Sequence, residues 1–157
     1  MRKFVFIDES IRDSYVMAAV IVPVEYLGHY RKEMSLLRVR GSLAFHMGNE
    51  RKQKRDTAIT ALRQIVYLQL VFTKSKNKKP NLARRECLVD MLMGIDADTI
   101  WHLVIDRTTQ EASDRVLIQN QRRKIGLDLG FTHASRYEDT GLWGADIAAW
   151  AGPHILN

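Results

Sequence analysis

Cysteine is almost missing from this sequence of 157 residues, which contains only Cys87. A single cysteine cannot close an internal disulfide or build a cysteine-rich zinc site, so a reducing compartment fits best and we expect a cytoplasmic protein. No apolar run approaches the length of a membrane span, and Asp8 interrupts the first run far short of a signal-peptide core. The sequence therefore predicts no membrane partner.

Three common catalytic signatures are also missing. There is no Gly-x-Ser-x-Gly elbow, no phosphate-binding Gly-x-x-x-x-Gly-Lys loop and no Gly-x-Gly-x-x-Gly dinucleotide fingerprint. His46, His102 and His133 do not show the His-Glu-x-x-His spacing of a zinc site, so a structural role is favoured for each. We keep only His46 as a candidate site residue, because it lies near the end of a predicted strand.

Acidic residues are outnumbered, with 18 Asp and Glu against 24 Lys and Arg, which gives a formal net charge of +6. This excess favours a polyanionic partner such as nucleic acid, although a solvated basic surface is the alternative. Basic clusters fall at residues 51–55, 74–79, 84–85 and 122–124. We expect phosphate contacts from these side chains: Arg51, Lys52, Lys76, Lys78 and Arg107.

The apolar pattern predicts one α/β domain over residues 1–157, with a mixed sheet flanked by helices. Residues 3–8 and 15–22 are predicted to form an antiparallel hairpin, whose second strand is buried on both faces because its apolar run is unbroken. The further predicted strands are residues 42–47, 65–73, 99–106 and 130–137. The predicted helices are residues 24–38, a segment after residue 49 through residue 62, and residues 80–94, 110–125 and 140–152.

Two aspartates end predicted strands, Asp8 in the first strand and Asp106 in the fifth. If the two strands are parallel neighbours, these carboxylates converge at one edge of the sheet. Alternation places Asp8 on the same strand face as Phe6 and places Glu9 on the other face. Asp8 is thus the better ligand candidate, while the role of Glu9 stays open. The alternative for either aspartate is that it simply begins a turn.

A third carboxylate, Asp146, lies within the apolar stripe of the last predicted helix, between Trp143 and Trp150. An inward-facing carboxylate is costly unless a cation or hydrogen-bond donors meet it. A divalent metal shared with Asp8 and Asp106 would meet that need, and a buried aspartate satisfied by backbone amides or an arginine is the alternative. Asp139, just before this helix, is either a further ligand or its N-cap.

Several short motifs, taken together and in order, resemble domain-of-unknown-function family 3800, which is grouped with ribonuclease H-like folds. The first is Phe6-Ile7-Asp8-Glu9-Ser10 with its hairpin partner, and the second is Val104-Ile105-Asp106-Arg107. The third is Asp139 followed by the segment from Leu142 to Ala148, which contains Asp146. Two residues depart from the family pattern: Ile11 replaces a usual glycine, and Trp143 replaces a usual glutamine.

The resemblance implies a ribonuclease H-like sheet with a catalytic acidic cluster. The implied members of this cluster are Asp8, Asp106 and Asp146, with Glu9 and Asp139 nearby. It also implies Mg²⁺ or Mn²⁺ as the metal and a nuclease acting on RNA or DNA. The alternatives are a nucleic-acid-binding module with a vestigial site and a phosphoesterase that acts on other substrates. A homodimer through Trp143 or Trp150 is a further expectation, because we expect the last helix, which is rich in tryptophan, to be exposed.

Overall fold

The computed structural model describes residues 1–96 and 98–156, and a mixed sheet of five strands lies at its centre. The strands are β1 (Arg2–Ile11), β2 (Tyr15–Pro23), β3 (Gln69–Ser75), β4 (Ile100–Asp106) and β5 (Leu129–Ala134). The helices are α1 (Leu27–Ser35), α2 (Lys52–Arg63), α3 (Pro80–Met93), α4 (Glu111–Ile125) and α5 (Gly141–Ala151). Short 3-10 turns cover Val24–Tyr26, Met47–Asn49 and Pro153–Leu156.

The strand order is β3-β2-β1-β4-β5, so β1 lies in the middle of the sheet. It pairs antiparallel with β2 and parallel with β4, and β4 pairs parallel with β5. The predicted hairpin of the first two strands is therefore confirmed. Burial of β2 on both faces is also confirmed, because Met17 to Val22 are buried without interruption.

Helices cover both faces of the sheet, which gives three layers. On one face α3 and α4 pack against Val5, Ile7 and Leu103. On the other face α1, α2 and α5 pack against Phe6 and Val104. This alternation along β1 follows from the two-residue period of a strand, and it directs consecutive side chains into different cores.

Several predicted boundaries were wrong. Residues 42–47 do not form a strand; they form a loop that leads into a 3-10 turn, with Phe45 and Met47 buried in the core beneath α5. Strand β1 continues beyond Asp8 to Ile11 because it stays paired with β2 there. The strand predicted at residues 65–73 begins only at Gln69, and the one predicted at residues 130–137 ends at Ala134. Because residues 42–47 are not a strand, the strand that ends at Asp106 is the fourth and not the fifth.

Helix α5 is buried, which removes the basis of the predicted dimer. Trp143 is only 2% exposed, and its indole N–H donates a hydrogen bond of 2.8 Å to the carbonyl of Arg136. Trp150 is half-buried and contacts the side chains of Arg12 and Arg55. A dimer through these tryptophans is not supported. None of the described helices has the length and apolar composition that a membrane crossing requires.

Candidate metal centre where β1 and β4 separate

The parallel pairing of β1 and β4 brings Asp8 and Asp106 together. The register pairs Phe6 with Val104 and Ile7 with Ile105, so its next step places the two aspartates side by side. Neighbouring strands lie about 4.8 Å apart, and Phe6 and Val104 pack into the same core as α5. Both carboxylates therefore emerge on the α5 face at the point where the two strands separate.

Glu9 joins this pair. One carboxylate oxygen from each of Asp8, Glu9 and Asp106 lies within 4.8 Å of the other two. Although Glu9 points toward the opposite face of β1, it is close enough to the sheet edge for one oxygen to reach the group. We name Asp8, Glu9 and Asp106 the carboxylate cluster. Oxygen ligands at this spacing suit a hard divalent cation such as Mg²⁺ or Mn²⁺.

Burial and mutual repulsion disfavour the charged forms of the carboxylate cluster. The pKa of Asp8 is raised well above its ordinary value by burial first, and then by Asp106, Glu9 and Asp146. Burial also raises the pKa of Asp106, although the charge of Arg136 opposes this shift. Burial raises the pKa of Glu9 as well, against the opposing charge of Arg84. A cation bound among these oxygens would relieve both costs, so the residues present fit a metal ion.

Asp146 reaches the same region from α5. One of its oxygens accepts a hydrogen bond of 2.7 Å from the backbone N–H of Met47, and the other lies 3.7 Å from Nε2 of His46. Burial raises the pKa of Asp146, and its charge contributes to the raised pKa of Asp8. The backbone amide thus satisfies one oxygen, as in the alternative considered from the sequence, while the other remains directed at His46.

His46, retained from the sequence as a candidate, therefore lies beside the acidic residues. Its other ring nitrogen, Nδ1, is buried and has no hydrogen-bond partner among the residues that the structure describes. His46 precedes the 3-10 turn whose first residue, Met47, donates to Asp146. The segment predicted as a strand therefore supplies two contacts to Asp146 as a loop.

Asp139 lies outside the carboxylate cluster. Its two oxygens accept hydrogen bonds of 3.1 and 2.8 Å from Arg31, and one of them also accepts a bond of 2.8 Å from the N–H of Gly141. The N-cap residue of α5 is Thr140 rather than Asp139, the alternative taken from the sequence. Asp139, which precedes it, accepts a hydrogen bond from the N–H of the first helical residue and so contributes to capping from one position before the N-cap. Its oxygens are committed to Arg31 and the helix, which argues against the predicted role as a metal ligand.

Glu9 also belongs to an ion-pair network whose other members come from α3, α4 and β5. Arg84 of α3, which is 3% exposed, donates to Glu9 at 2.8 Å and to both oxygens of Asp114 of α4. His133 of β5 lies 3.0 Å from Asp114 through Nε2. Burial alone would raise the pKa of Asp114, but its bonds with His133 and Arg84 lower it. Arg84 thereby links two helices to the strand that carries the site.

Sequence reasoning missed Arg84, Asp114 and Arg136 as parts of this site. Arg84 was grouped with Arg85 as an exposed basic pair, yet the structure buries the first and exposes the second. The helical period of α3 separates them, since adjacent residues point about 100° apart. The buried face of α3, which includes Ala83, was a signal that Arg84 faces inward. His133 has the structural role that was favoured for it.

The predicted phosphate contacts lie on several surfaces. Arg51, Lys76 and Lys78 are exposed, and the two lysines belong to the loop between β3 and α3. Lys52 is paired with Asp56 at 2.8 Å. Arg107 donates to Glu138 at 3.3 Å and lies 3.6 Å from Glu111, immediately after Asp106. Existing carboxylate partners reduce the charge that Lys52 and Arg107 can offer to a phosphate.

Comparisons with known proteins identify the fold. One match is ribonuclease HII from Archaeoglobus fulgidus, solved in complex with PCNA, with a TM-score of 0.61 and 15% sequence identity. It covers 95% of this chain and 71% of the matched chain. Another is a variant of Bst ribonuclease HIII, with a TM-score of 0.54, 14% identity, and coverage of 94% of this chain and 50% of that one.

No protein-family model matches the sequence, and no curated protein matches it. The resemblance to domain-of-unknown-function family 3800 is therefore not confirmed, whereas the ribonuclease H-like part of the expectation is. At 14 and 15% identity, the two structural matches establish the fold alone. The protein has a ribonuclease H-like fold, a mixed five-stranded sheet flanked by helices, with an acidic cluster where β1 and β4 separate.

Proposed function

We propose that this protein is a divalent-metal-dependent nuclease that hydrolyses phosphodiester bonds at the carboxylate cluster. The observation that carries the proposal is the convergence of Asp8, Glu9 and Asp106 within 4.8 Å at one edge of a ribonuclease H-like sheet. Three half-buried carboxylates that repel one another are costly to maintain unless they bind a cation. Carboxyl groups whose pKa is raised by burial and by neighbouring charges are typical of functional sites.

The chain's own residues would act mainly by positioning. Asp8, Glu9 and Asp106 would hold Mg²⁺ or Mn²⁺, with Asp146 close by on α5. When bound, such an ion supplies Lewis-acid stabilisation of the charge that develops on an attacked phosphate and favours deprotonation of water. Arg84 would keep Glu9 in a fixed orientation, because it binds one oxygen of Glu9 and leaves the other available.

The substrate class is proposed from charge and from the two structural matches. A net charge of +6 favours a polyanion, and both matched proteins are named as ribonucleases. RNA is therefore the first substrate to test, followed by DNA. A phosphoesterase that acts on small molecules would not need the basic surfaces that surround this chain.

The test is a cleavage assay with end-labelled RNA, single-stranded DNA, duplex DNA and RNA–DNA hybrid, each with Mn²⁺, Mg²⁺ or a chelator. We expect the parent protein to cut at least one substrate only when metal is present. Asp8→Asn should lose this cleavage by at least a hundredfold, and Asp90→Asn, which changes an exposed carboxylate of α3, should retain it. Failure of the parent to cut any substrate with either metal, or equal cleavage by Asp8→Asn, would refute the proposal.

A further inference from the structure

A group of three residues beside the carboxylate cluster has no role in the site described above. The guanidinium carbon of Arg12 lies 4.0 Å from the ring centroid of Trp150, and that of Arg55 lies 4.8 Å from the same centroid. We name Arg12, Arg55 and Trp150 the Trp150 cluster. These residues come from the β1–β2 turn, from α2 and from the end of α5, so three separate elements converge on one ring.

The two guanidinium groups have no carboxylate partner within the described part of the chain. Arg12 donates a hydrogen bond of 2.5 Å to the carbonyl of Trp150, and Arg55 donates one of 2.8 Å to the carbonyl of Glu50. Two positive charges therefore lie against one aromatic ring without an ion-pair partner. Each of these charges is available to an anion that approaches the ring.

A cavity of about 200 Å³ opens beside this group. Arg12, Lys74 and His154 line it, together with a face of Trp150, and all three of these polar side chains are exposed. Asp13 is the acidic residue in the lining, so the two cations Arg12 and Lys74 outnumber it. The cavity is thus open to solvent and predominantly basic, with an aromatic wall.

The Trp150 cluster lies further along the same two elements, β1 and α5, that carry Asp8 and Asp146. Asp8 and Ser10 lie on one face of β1, Ser10 lines the cavity, and Arg12 follows in the turn after β1 ends at Ile11. On α5, Trp150 lies one turn beyond Asp146. The four residues from Asp146 to Trp150 span about 6 Å of helix, and the two residues from Asp8 to Ser10 span about 7 Å of strand. With a rise of about 3.4 Å for each nucleotide of one strand, each distance corresponds to about two nucleotides.

We propose that Arg12, Arg55 and Trp150 bind the sugar–phosphate backbone of a nucleic-acid strand a few nucleotides from the bond held at the carboxylate cluster. This inference deepens the proposed function and rests on it for the identity of the strand. Arginine suits the role because its planar fork can donate two hydrogen bonds to one phosphate. Trp150 packs against both guanidinium groups, and its partly exposed ring can stack on a sugar or base.

The test is a binding measurement that does not depend on catalysis. The parent, Arg12→Ala, Arg55→Ala and Arg123→Ala are titrated against a fluorescein-labelled single-stranded RNA in chelator, between about 50 and 200 mM salt. Arg123 is an exposed arginine of α4, on the opposite face of the sheet, so its variant removes the same charge elsewhere. Fluorescence anisotropy gives the affinity and its slope against salt concentration.

We expect Arg12→Ala and Arg55→Ala each to weaken binding about tenfold at low salt and to reduce the salt slope by about 0.7 to 1. Arg123→Ala should change the affinity by less than about twofold. Arg12→Lys should keep most of the salt slope, because it retains the charge. RNA should also quench the parent's tryptophan fluorescence, and Trp150→Phe should lose this quenching.

Parent-like affinity and salt slope in Arg12→Ala and Arg55→Ala would overturn the inference, as would an equal loss in Arg123→Ala. Displacement of the RNA by polyglutamate at the same charge concentration would also overturn it, since the site would then not recognise phosphate. The two proposals fail separately. If the parent cuts nothing but its binding depends on Arg12, hydrolysis fails and the backbone site stands; if it cuts and the variants bind normally, only the backbone site fails.

Discussion

Asp8 has an environment that works against its own charge. It is surrounded by Asp106, Glu9 and Asp146, and the balancing cations Arg84 and Arg136 act mainly on its neighbours. A carboxylate with a raised pKa destabilises the folded state at neutral pH, because unfolding would release the charge into water. The same residue therefore costs stability in the metal-free protein and provides the site for a cation.

Replacing Asp8 with asparagine should stabilise the metal-free protein at neutral pH. The folded-state pKa of Asp8 lies above its unfolded value of about 3.9, so the folded state binds more protons in the window between the two values. The parent's free energy of unfolding should thus fall as pH rises through that window. Urea unfolding in chelator at about pH 7 should show Asp8→Asn at least about 1 kcal/mol more stable than the parent.

The difference between the two proteins should shrink as the pH falls toward about 4. The pKa of Asp114 is lowered in the folded protein, so its contribution to the free energy of unfolding is lost in acid. Comparing the variant with the parent cancels this opposing contribution, because both proteins contain Asp114. Equal stability of Asp8→Asn and the parent at neutral pH would contradict the repulsion described for the carboxylate cluster.

Arg84 is the buried cation on which two carboxylates depend. Arg84→Met should destabilise the fold by about 3 to 5 kcal/mol, because Asp114 would be left buried, and Glu9 half-buried, without their partner. Arg85→Met is the matched control, since Arg85 is exposed on the same helix and should change stability by less than about 0.5 kcal/mol. Denaturant unfolding of both variants measures the contrast, and a similar small effect in both would show that the network contributes little.

At the scale of elements, the packing of α5 sets the distance between the sheet and the helical layer formed by α1, α2 and α5. Two glycines of this helix face large aromatic side chains: a Cβ on Gly141 would clash with the ring of Phe6, and one on Gly144 would clash with the hydroxyl of Tyr30. Tyr30 donates a hydrogen bond of 2.5 Å to the carbonyl of Gly141. The close packing of α5 against α1 and β1 also determines where Asp146 meets the carboxylate cluster.

Gly144→Ala should therefore destabilise the protein, by about 1 to 3 kcal/mol, even though alanine is the better helix former. Gly28→Ala in α1 is the control, because a Cβ there meets no atom within 4 Å and should leave stability unchanged or raise it by up to about 1 kcal/mol. Thermal unfolding compares the two. If Gly144→Ala is as stable as Gly28→Ala, the close approach of α5 is not a constraint.

Elements with long, uniform apolar patterns could be predicted from the sequence, and short or irregular ones could not. The runs that became β1, β2 and β4 were identified because burial on both faces requires continuous apolar residues. Residues 42–47 looked like a strand because Phe45 and Met47 alternate with polar or small residues, but a loop can bury such residues equally well. In α5, Asp146 is the one charged residue among eleven, a composition that indicates full burial rather than an exposed stripe.

At the scale of the whole molecule, the sequence could predict which strand ends meet but not which side chains support them. Asp8 and Asp106 were predicted to converge because side chains at the ends of parallel neighbouring strands meet at one edge of an α/β sheet. In the ion-pair network around Glu9, Arg84 binds Glu9, which is 75 positions away in the chain, and Asp114, which is 30 positions away. Its partners depend on how α3 and α4 dock, which a helical pattern does not specify.

The central claim is that Asp8, Glu9 and Asp106 form a divalent metal centre, and a calorimetric Mn²⁺ titration tests it most directly. We predict saturable binding by the parent and by Asp90→Asn, which changes an exposed carboxylate on α3, with affinities within about twofold of one another. Asp106→Asn should bind at least about tenfold more weakly, because it removes one charged ligand and leaves the fold intact. Parent-like Mn²⁺ affinity in Asp106→Asn, or no saturable binding by the parent, would contradict the account.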